Sequence, residues 1–237
     1  MRRFVMVLGA VAVLLSALAA TRGSAVAGGA SDAKRARGFA ARITNPYLPY
    51  RPGSVWVYRG TKDGVSQVDT VRVLRRTRVI AGVRCTSISD VATHGSRVLE
   101  RTTDWYAQDD RGNVWYYGEA TAAYGPGGQV DRSGSWLAGV HGARPGIVMT
   151  AHPRVGDAHR QEFWRGHAED QYWLVALGEH VRVPFGAFTD AARTLEWSRL
   201  EPGVIDEKFY VRGIGPVREN AAEGPTEFAN LVSFTRP

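Results

Sequence analysis

Glycine-bearing turns recur along this chain at intervals that leave room only for strands between them. Lys62-Asp-Gly64, Ala81-Gly82, His94-Gly95 and Asp109-Asp-Arg-Gly-Asn113 each interrupt a run rich in β-branched and aromatic residues. Glycine supplies the positive φ of tight turns, and runs joined by such short links pair antiparallel. The pattern predicts a meander with strands over residues 54–59, 67–79, 83–91, 97–107 and 114–117. Residues 159–164, 171–177, 180–183, 193–197, 208–212, 217–219 and 227–234 read the same way. No convincing helical stripe longer than about ten residues exists, although 188–196 is compatible with a short helix.

Two segments depart from this rhythm. Residues 45–53, with three prolines and a glycine, read as an extended lead-in that ends in a turn. Residues 137–157 contain Gly139, Gly142, Pro145, Gly146, Pro153 and Gly156 with little periodicity. They read as a long loop lying across one mouth of the domain. The expected fold class is mostly β: an antiparallel curved sheet or partly open β-barrel with a long glycine-rich loop.

At the N-terminus, Met1-Arg2-Arg3 is followed by an apolar run over residues 4–20 and by Ala25-Val26-Ala27, a small-x-small cleavage site. This predicts a cleaved secretory signal peptide over residues 1–27 and a secreted, extracellular or cell-wall-associated protein. No cysteine adjoins Ala27, which argues against lipid anchoring, and no later run is long enough to cross a bilayer as a helix. Residues 28–42, rich in glycine and alanine, read as a disordered arm. A single β-rich domain is expected over 43–237.

The chain has 30 basic and 23 acidic residues, but the excess sits near the N-terminus. From Ile43 onward the balance is 23 basic to 22 acidic. A clustered basic stripe with aromatics is missing, so nucleic acid is not an expected partner. Cys85 is the single cysteine, which precludes an internal disulfide. It is expected to be a small buried hydrophobe in a strand.

Four segments carry a resemblance. They are Tyr50-Arg-Pro-Gly-Ser-Val-Trp-Val-Tyr-Arg-Gly60, Asp104-Trp-Tyr-Ala-Gln-Asp109, Gly112-Asn-Val-Trp-Tyr-Tyr-Gly-Glu119 and Phe209-Tyr-Val-Arg-Gly-Ile-Gly-Pro-Val217. Over roughly residues 43–234 the chain resembles an uncharacterised group of bacterial exported β-rich proteins. Those in turn are similar to the half-barrels of periplasmic lipoprotein carriers. The resemblance implies export and β architecture, and no reaction.

Polar residues crowd together between His141 and Asp170. His152, His159 and His167 come nearest to a metal-ligand set, but no His-Glu-x-x-His or Cys-x-x-Cys pattern exists. No metal or cofactor is expected. Strand parity puts Asp206, Lys208, Tyr210 and Arg212 on one face, and Glu207, Phe209 and Val211 on the other. It also gives Arg160, Glu162 and Trp164 a common face, and alternates Glu196 with Leu195 and Trp197. Buried carboxylates need partners or raised pKa values, and Arg160 and Lys208 are the natural partners. No Gly-x-Ser-x-Gly elbow is present, and Gly125-Pro-Gly-Gly128 lacks the Lys-Ser/Thr of a phosphate loop.

With seven tryptophans, nine tyrosines and eight phenylalanines, the chain can line a cavity as well as fill a core. The expected function is secreted, non-catalytic binding of a small, partly apolar ligand or a cell-envelope component. Trp105, Trp115 and Trp164 would supply contact area, and Arg160, Glu162 and Lys208 orientation. One alternative is an extracellular hydrolase or lyase working through His159, Glu162, Glu196 and Glu207. Another is a structural or protein-interaction module. No stable membrane insertion is expected after signal cleavage.

Overall fold

The computed structural model describes residues 38–62 and 64–237. The expected signal peptide and residues 28–37 of the expected arm lie outside the described residues. Sixteen strands carry the fold: β1 (Phe39–Ala40), β2 (Val55–Lys62), β3 (Val65–Ile80), β4 (Val83–His94), β5 (Arg97–Asp109), β6 (Val114–Tyr124), β7 (Val130–Asp131), β8 (Trp136–Leu137), β9 (Arg144–Met149), β10 (Ala158–Arg160), β11 (Glu162–Phe163), β12 (Asp170–Val183), β13 (Gly186–Ser198), β14 (Ile205–Val211), β15 (Gly215–Glu223) and β16 (Phe228–Thr235). Among the described residues there is no helix. The segment compatible with a short helix, 188–196, lies within β13, where buried Thr194, Glu196 and Ser198 alternate with the more exposed Arg193, Leu195 and Trp197.

Hydrogen bonding runs β10-β12-β13-β14-β15-β16-β2-β3-β4-β5-β6-β9-β11, and every pair is antiparallel. The first and last strands of this path are joined by one residue, Gln161. The sheet therefore curls until its ends meet, giving a nearly closed barrel with one unsealed seam. Bulges between Val73 and Thr77, between Trp105 and Tyr106, and along β12 supply the bends that such long strands need. Small strands decorate the outside of this path: β1 adds to β5, and β7 and β8 add to β6. Phe39 and Ala40, in the expected arm, are thus part of the sheet.

One end of the barrel is crossed by the lead-in segment. Ile43, Asn45, Tyr47, Leu48 and Tyr50 are all buried. The Asn45 amide donates to the carbonyls of Gly112 and Thr150 on one side, while the Gly213 N–H donates to the Pro46 carbonyl on the other. Tyr50 packs against Trp56 and Tyr106. This corrects the expectation for residues 137–157. They are rich in turns, as their glycines imply, but their β9 is part of the barrel wall. The segment that crosses an end is 43–50.

The hairpin turns lie where the glycines indicate. The most heavily hydrogen-bonded by a side chain is 109–113, where the Asp109 carboxylate accepts from the Arg111 and Asn113 N–H groups, the Asn113 amide and the Trp115 indole. Cys85 is fully buried in β4 and its thiol is pushed up to about 12 by burial, which makes it inert.

Gly146 shows how tightly the seam is packed. A Cβ there would sit 2.1 Å from the Arg160 carbonyl oxygen and 2.6 Å from the Gln161 carbonyl carbon. Because the obstacle is backbone, Gly146→Ala is expected to cost about 1–3 kcal/mol. Urea unfolding measures this, and an unchanged midpoint would mean that the sheet ends do not touch there.

Candidate functional site

The half of the interior away from the lead-in segment is lined by carboxylates. Inward positions supply Asp69 from β3, Asp90 from β4, Glu100 and Asp104 from β5, and Glu119 from β6. Glu162 from β11, Asp170 from β12, Glu196 from β13 and Glu219 from β15 continue the series. Because the sheet closes, this row becomes a belt whose two ends, Glu162 and Asp170, flank the seam. Among the described residues nine carboxylates are buried against two ammonium groups, Lys62 and Lys208. The belt is acidic far beyond what its own cations can neutralise.

Its members fare differently. Lys208 Nζ lies 3.0 Å from Glu196 Oε2 and 3.6 Å from Glu219 Oε2. Glu196 also accepts from the Gln161 amide at 3.0 Å, the Thr194 hydroxyl at 2.8 Å and the Tyr210 hydroxyl at 2.9 Å. Glu219, with only a share of Lys208, is pushed up to about 8 by burial. Glu100 sits with the Thr102 and Thr121 hydroxyls.

Elsewhere in the belt burial outweighs whatever counter-charge is near: Lys62 acts on Asp69 and Lys208 on Asp170, yet both carboxylates are raised. Burial raises Asp90 well above the usual carboxylate range, and the neighbouring Asp69 raises it further. Asp90 keeps its proton and donates it to Asp69, which is itself raised by burial. Asp104 accepts from the Tyr116 hydroxyl at 2.7 Å and is also raised by burial. Glu162 has no exposed surface, and both its oxygens lack a hydrogen bond of ordinary geometry. The Trp136 indole N–H is turned toward it but is likewise without a well-formed bond. Burial, then Asp170 and Glu119, hold Glu162 in its acid form. Asp170 is pushed up to about 8, chiefly by burial.

Buried aromatic rings adjoin these carboxylates. Tyr106 and Tyr116 stack with centroids 4.7 Å apart, and Trp136 meets Tyr116 edge-on at 5.3 Å. At the rim, Tyr58, Lys62, Gln67, Asp69 and Phe228 line a small pocket with room for about one water.

The residues singled out from sequence are dispersed. Glu162, Glu196 and Lys208 are in the belt. Arg160 is exposed and lies over the Phe163 ring at 4.4 Å, so it is not a partner of the buried carboxylates. The shared face expected for Arg160 and Glu162 fails because the chain crosses the seam at Gln161 and parity is not carried across. Trp105 and Trp115 occupy the face opposite Tyr106 and Tyr116. Arg78 stacks over Trp105 at 4.4 Å, while Trp115 packs on Phe39. Trp164 stacks between His141 and His167 at one end of the seam.

Of the four acid–base candidates, Glu207 faces outward, held by Arg193 at 3.0 Å and by the Asn220 amide. His159 is half-buried against Tyr172 and is lowered by burial. The four do not converge. His152 and His167 are exposed, and among the described residues no group of three His, Cys, Asp or Glu is arranged to hold a metal ion.

Sequence reasoning missed Asp69, Asp90, Glu100, Asp104, Glu119, Asp170 and Glu219. The signal was parity. Asp69 shares a face with the inward Val71 and Val73, and Glu100, Thr102, Asp104 and Tyr106 share one face.

Two expectations follow. Asp170 and Glu219 hold protons in the folded state up to about pH 8, whereas an unfolded carboxylate loses its proton near pH 4. Their contribution to stability is full below about pH 4 and is lost as pH rises through about 8. The thermal midpoint should therefore fall between pH 5 and pH 9, and Asp170→Asn should flatten that decline; a midpoint that rises would contradict it. Separately, Lys208→Met strands two buried carboxylates and should cost about 3–5 kcal/mol, with Glu196→Gln in the same chain recovering part of the loss. A denaturant double-mutant cycle reads both.

No family model matches the chain, and no curated protein matches it. Two solved structures are similar to it. One is a Bacteroides fragilis protein described as exported and as having a YmcC-like fold. It has 14% identity and a TM-score of 0.47, covering 78% of this chain and 97% of its own. The other is described as a lipoprotein from Parabacteroides distasonis. It has 13% identity and a TM-score of 0.44, covering 83% of this chain and all of its own. Neither assigns this chain a family or a chemistry.

Proposed function

We propose that this chain is an exported, non-catalytic β-barrel that binds a small, partly apolar ligand, either free or as part of a cell-envelope component. The observation that carries the reading is the interior itself: nine buried carboxylates against two buried ammonium groups, adjoined by buried aromatic rings. For stability alone, apolar side chains of similar volume serve as well as buried charges or better. Polar groups gathered in one apolar enclosure, with oxygens left unpaired, are the usual composition of a recognition site. Export rests on the apolar run and the Ala25-Val26-Ala27 site at the N-terminus.

Glu162 and Lys208 retain their expected orienting role, and the apolar contact passes from Trp105, Trp115 and Trp164 to Tyr106, Tyr116 and Trp136. Hydrolysis is the less favoured reading. Glu162 and Glu196 are sealed from solvent, and Glu207 stands on the opposite face.

The test is native mass spectrometry of the protein purified gently from culture medium, together with titration of the neutral fluorescent probe N-phenyl-1-naphthylamine. A reproducible mass above the denatured mass, or saturable probe fluorescence, is the expected result. A bare mass together with no probe binding would overturn the reading.

A further inference from the structure

The belt is not uniform in how it is neutralised, and Glu162, beside the seam, is among its least balanced members. Lys208 serves Glu196 and Glu219 and also acts on Asp170, and Lys62 lies near Asp69. Around Glu162 the charged neighbours are Asp170, Glu119 and Asp104, all acidic. Arg160, only two residues away in sequence, is turned out to solvent over Phe163.

Unpaired polar atoms point into the same region. Neither Glu162 oxygen is hydrogen-bonded in ordinary geometry, and Asp104 Oδ2, Asp170 Oδ1 and the Tyr106 hydroxyl are likewise unpaired. All four residues are at least nine-tenths buried. A neutral hydrogen-bonding ligand could satisfy some of these atoms. What separates ligand classes is the second component, the π-faces of the stacked Tyr106–Tyr116 pair and of Trp136. Carboxylate oxygens and aromatic faces both attract positive charge, and both repel an anion. The seam beside Glu162 and Asp170 is also, among the described residues, the one unsealed line in the hydrogen-bonded wall, crossed by the Gln161 N–H to the Asp170 carbonyl.

We propose that the seam corner, built from Glu162 and Asp170 beside the Tyr106–Tyr116–Trp136 aromatic cluster, is a site for the ammonium group of an organic amine whose apolar body lies along the rings. This rests on the binding reading above and names the class of its ligand. As the ammonium enters, Glu162 releases its proton to solvent and the resulting carboxylate supplies the charge-assisted contact; the rings supply the cation–π contact, and entry is through the seam.

The experiment compares dansylcadaverine, a fluorescent primary ammonium, with its N-acetylated neutral form on the full-length protein, with N-phenyl-1-naphthylamine as a reference for apolar binding. The ammonium probe should bind at least about tenfold more tightly than the acetylated one, as one charge-assisted contact predicts. Glu162→Gln and Asp170→Asn should each remove most of that preference, while Glu207→Gln on the outer face should leave it intact. Equal binding of the two dansyl probes to the unmodified protein overturns the proposal, whatever the variants do. So does a preference that survives Glu162→Gln in a variant with an unchanged circular dichroism spectrum. Binding of N-phenyl-1-naphthylamine without ammonium preference sinks the amine assignment alone; failure of all three probes sinks the binding reading with it.

Discussion

Everything in this structure depends on one topological fact: strands at opposite ends of a thirteen-strand path are consecutive in the chain, with Gln161 alone between them. A flat sheet of that width would hold its edges tens of ångströms apart, at nearly 5 Å per strand. One residue spans less than 4 Å. The sheet must therefore curl through a full turn, and what would be two exposed edges become one seam. Gln161 is suited to the junction. Its backbone N–H donates to the Asp170 carbonyl, and its side chain reaches inward to Glu196, so the residue that joins the edges also ties them to the interior.

Closure divides the interior into two regions. Near the lead-in segment the inward side chains are Trp56, Val71, Val73 and Ile88, capped by Leu48 and Tyr50, an ordinary apolar core. Further along the same strands the inward positions become carboxylates. The tyrosines make the transition possible. The rings of Tyr58, Tyr116 and Tyr210 belong to the core, while their hydroxyls donate to the Pro216 carbonyl, Asp104 and Glu196. A phenylalanine would fill the same volume but offer the acids nothing. Beyond the tyrosines, desolvation governs. An ionised carboxylate without a counter-charge is too costly to bury, so the group keeps its proton instead.

The same physics sets how much of this was legible in the sequence. Period-two alternation is local, and where strands run without interruption it read correctly. Lys208 and Tyr210 do face inward, Glu207 outward, and the glycine-bearing turns fall where expected. It failed wherever a face was reassigned by something distant. Arg160 and Glu162 differ by two positions yet face different environments, because the chain changes sheet ends between them. Trp105 and Trp115 look like cavity lining by composition, but Tyr106 and Tyr116 hold the inward places. The acids of the belt escaped notice for a related reason. One Asp or Glu per strand is unremarkable, and only closure puts Asp90, Asp104, Glu119 and Glu162 in the same enclosure.

That distributed origin bears on what the belt is for. A single buried acid is readily explained as a tolerated accident of packing. Acids contributed by strand after strand, with tyrosine hydroxyls donating to Asp104 and Glu196, require the whole barrel to accommodate the cost. The cost is held down by protons, which are the smallest cations available and the easiest to exchange. An interior neutralised by protons can accept another cation by releasing one, without reorganising its hydrogen-bonded walls. An interior neutralised by lysines could not, because its counter-charges would be tethered to the backbone. Lys62, near Asp69, and Lys208, bound to both Glu196 and Glu219 and acting on Asp170 as well, impose that fixed arrangement on part of the belt, whereas the charged groups that act most strongly on Glu162 are the acids Asp170, Glu119 and Asp104. The distribution of fixed and exchangeable counter-charge thus leaves Glu162 neutralised by its proton, which is the cation that the proposed amine would displace.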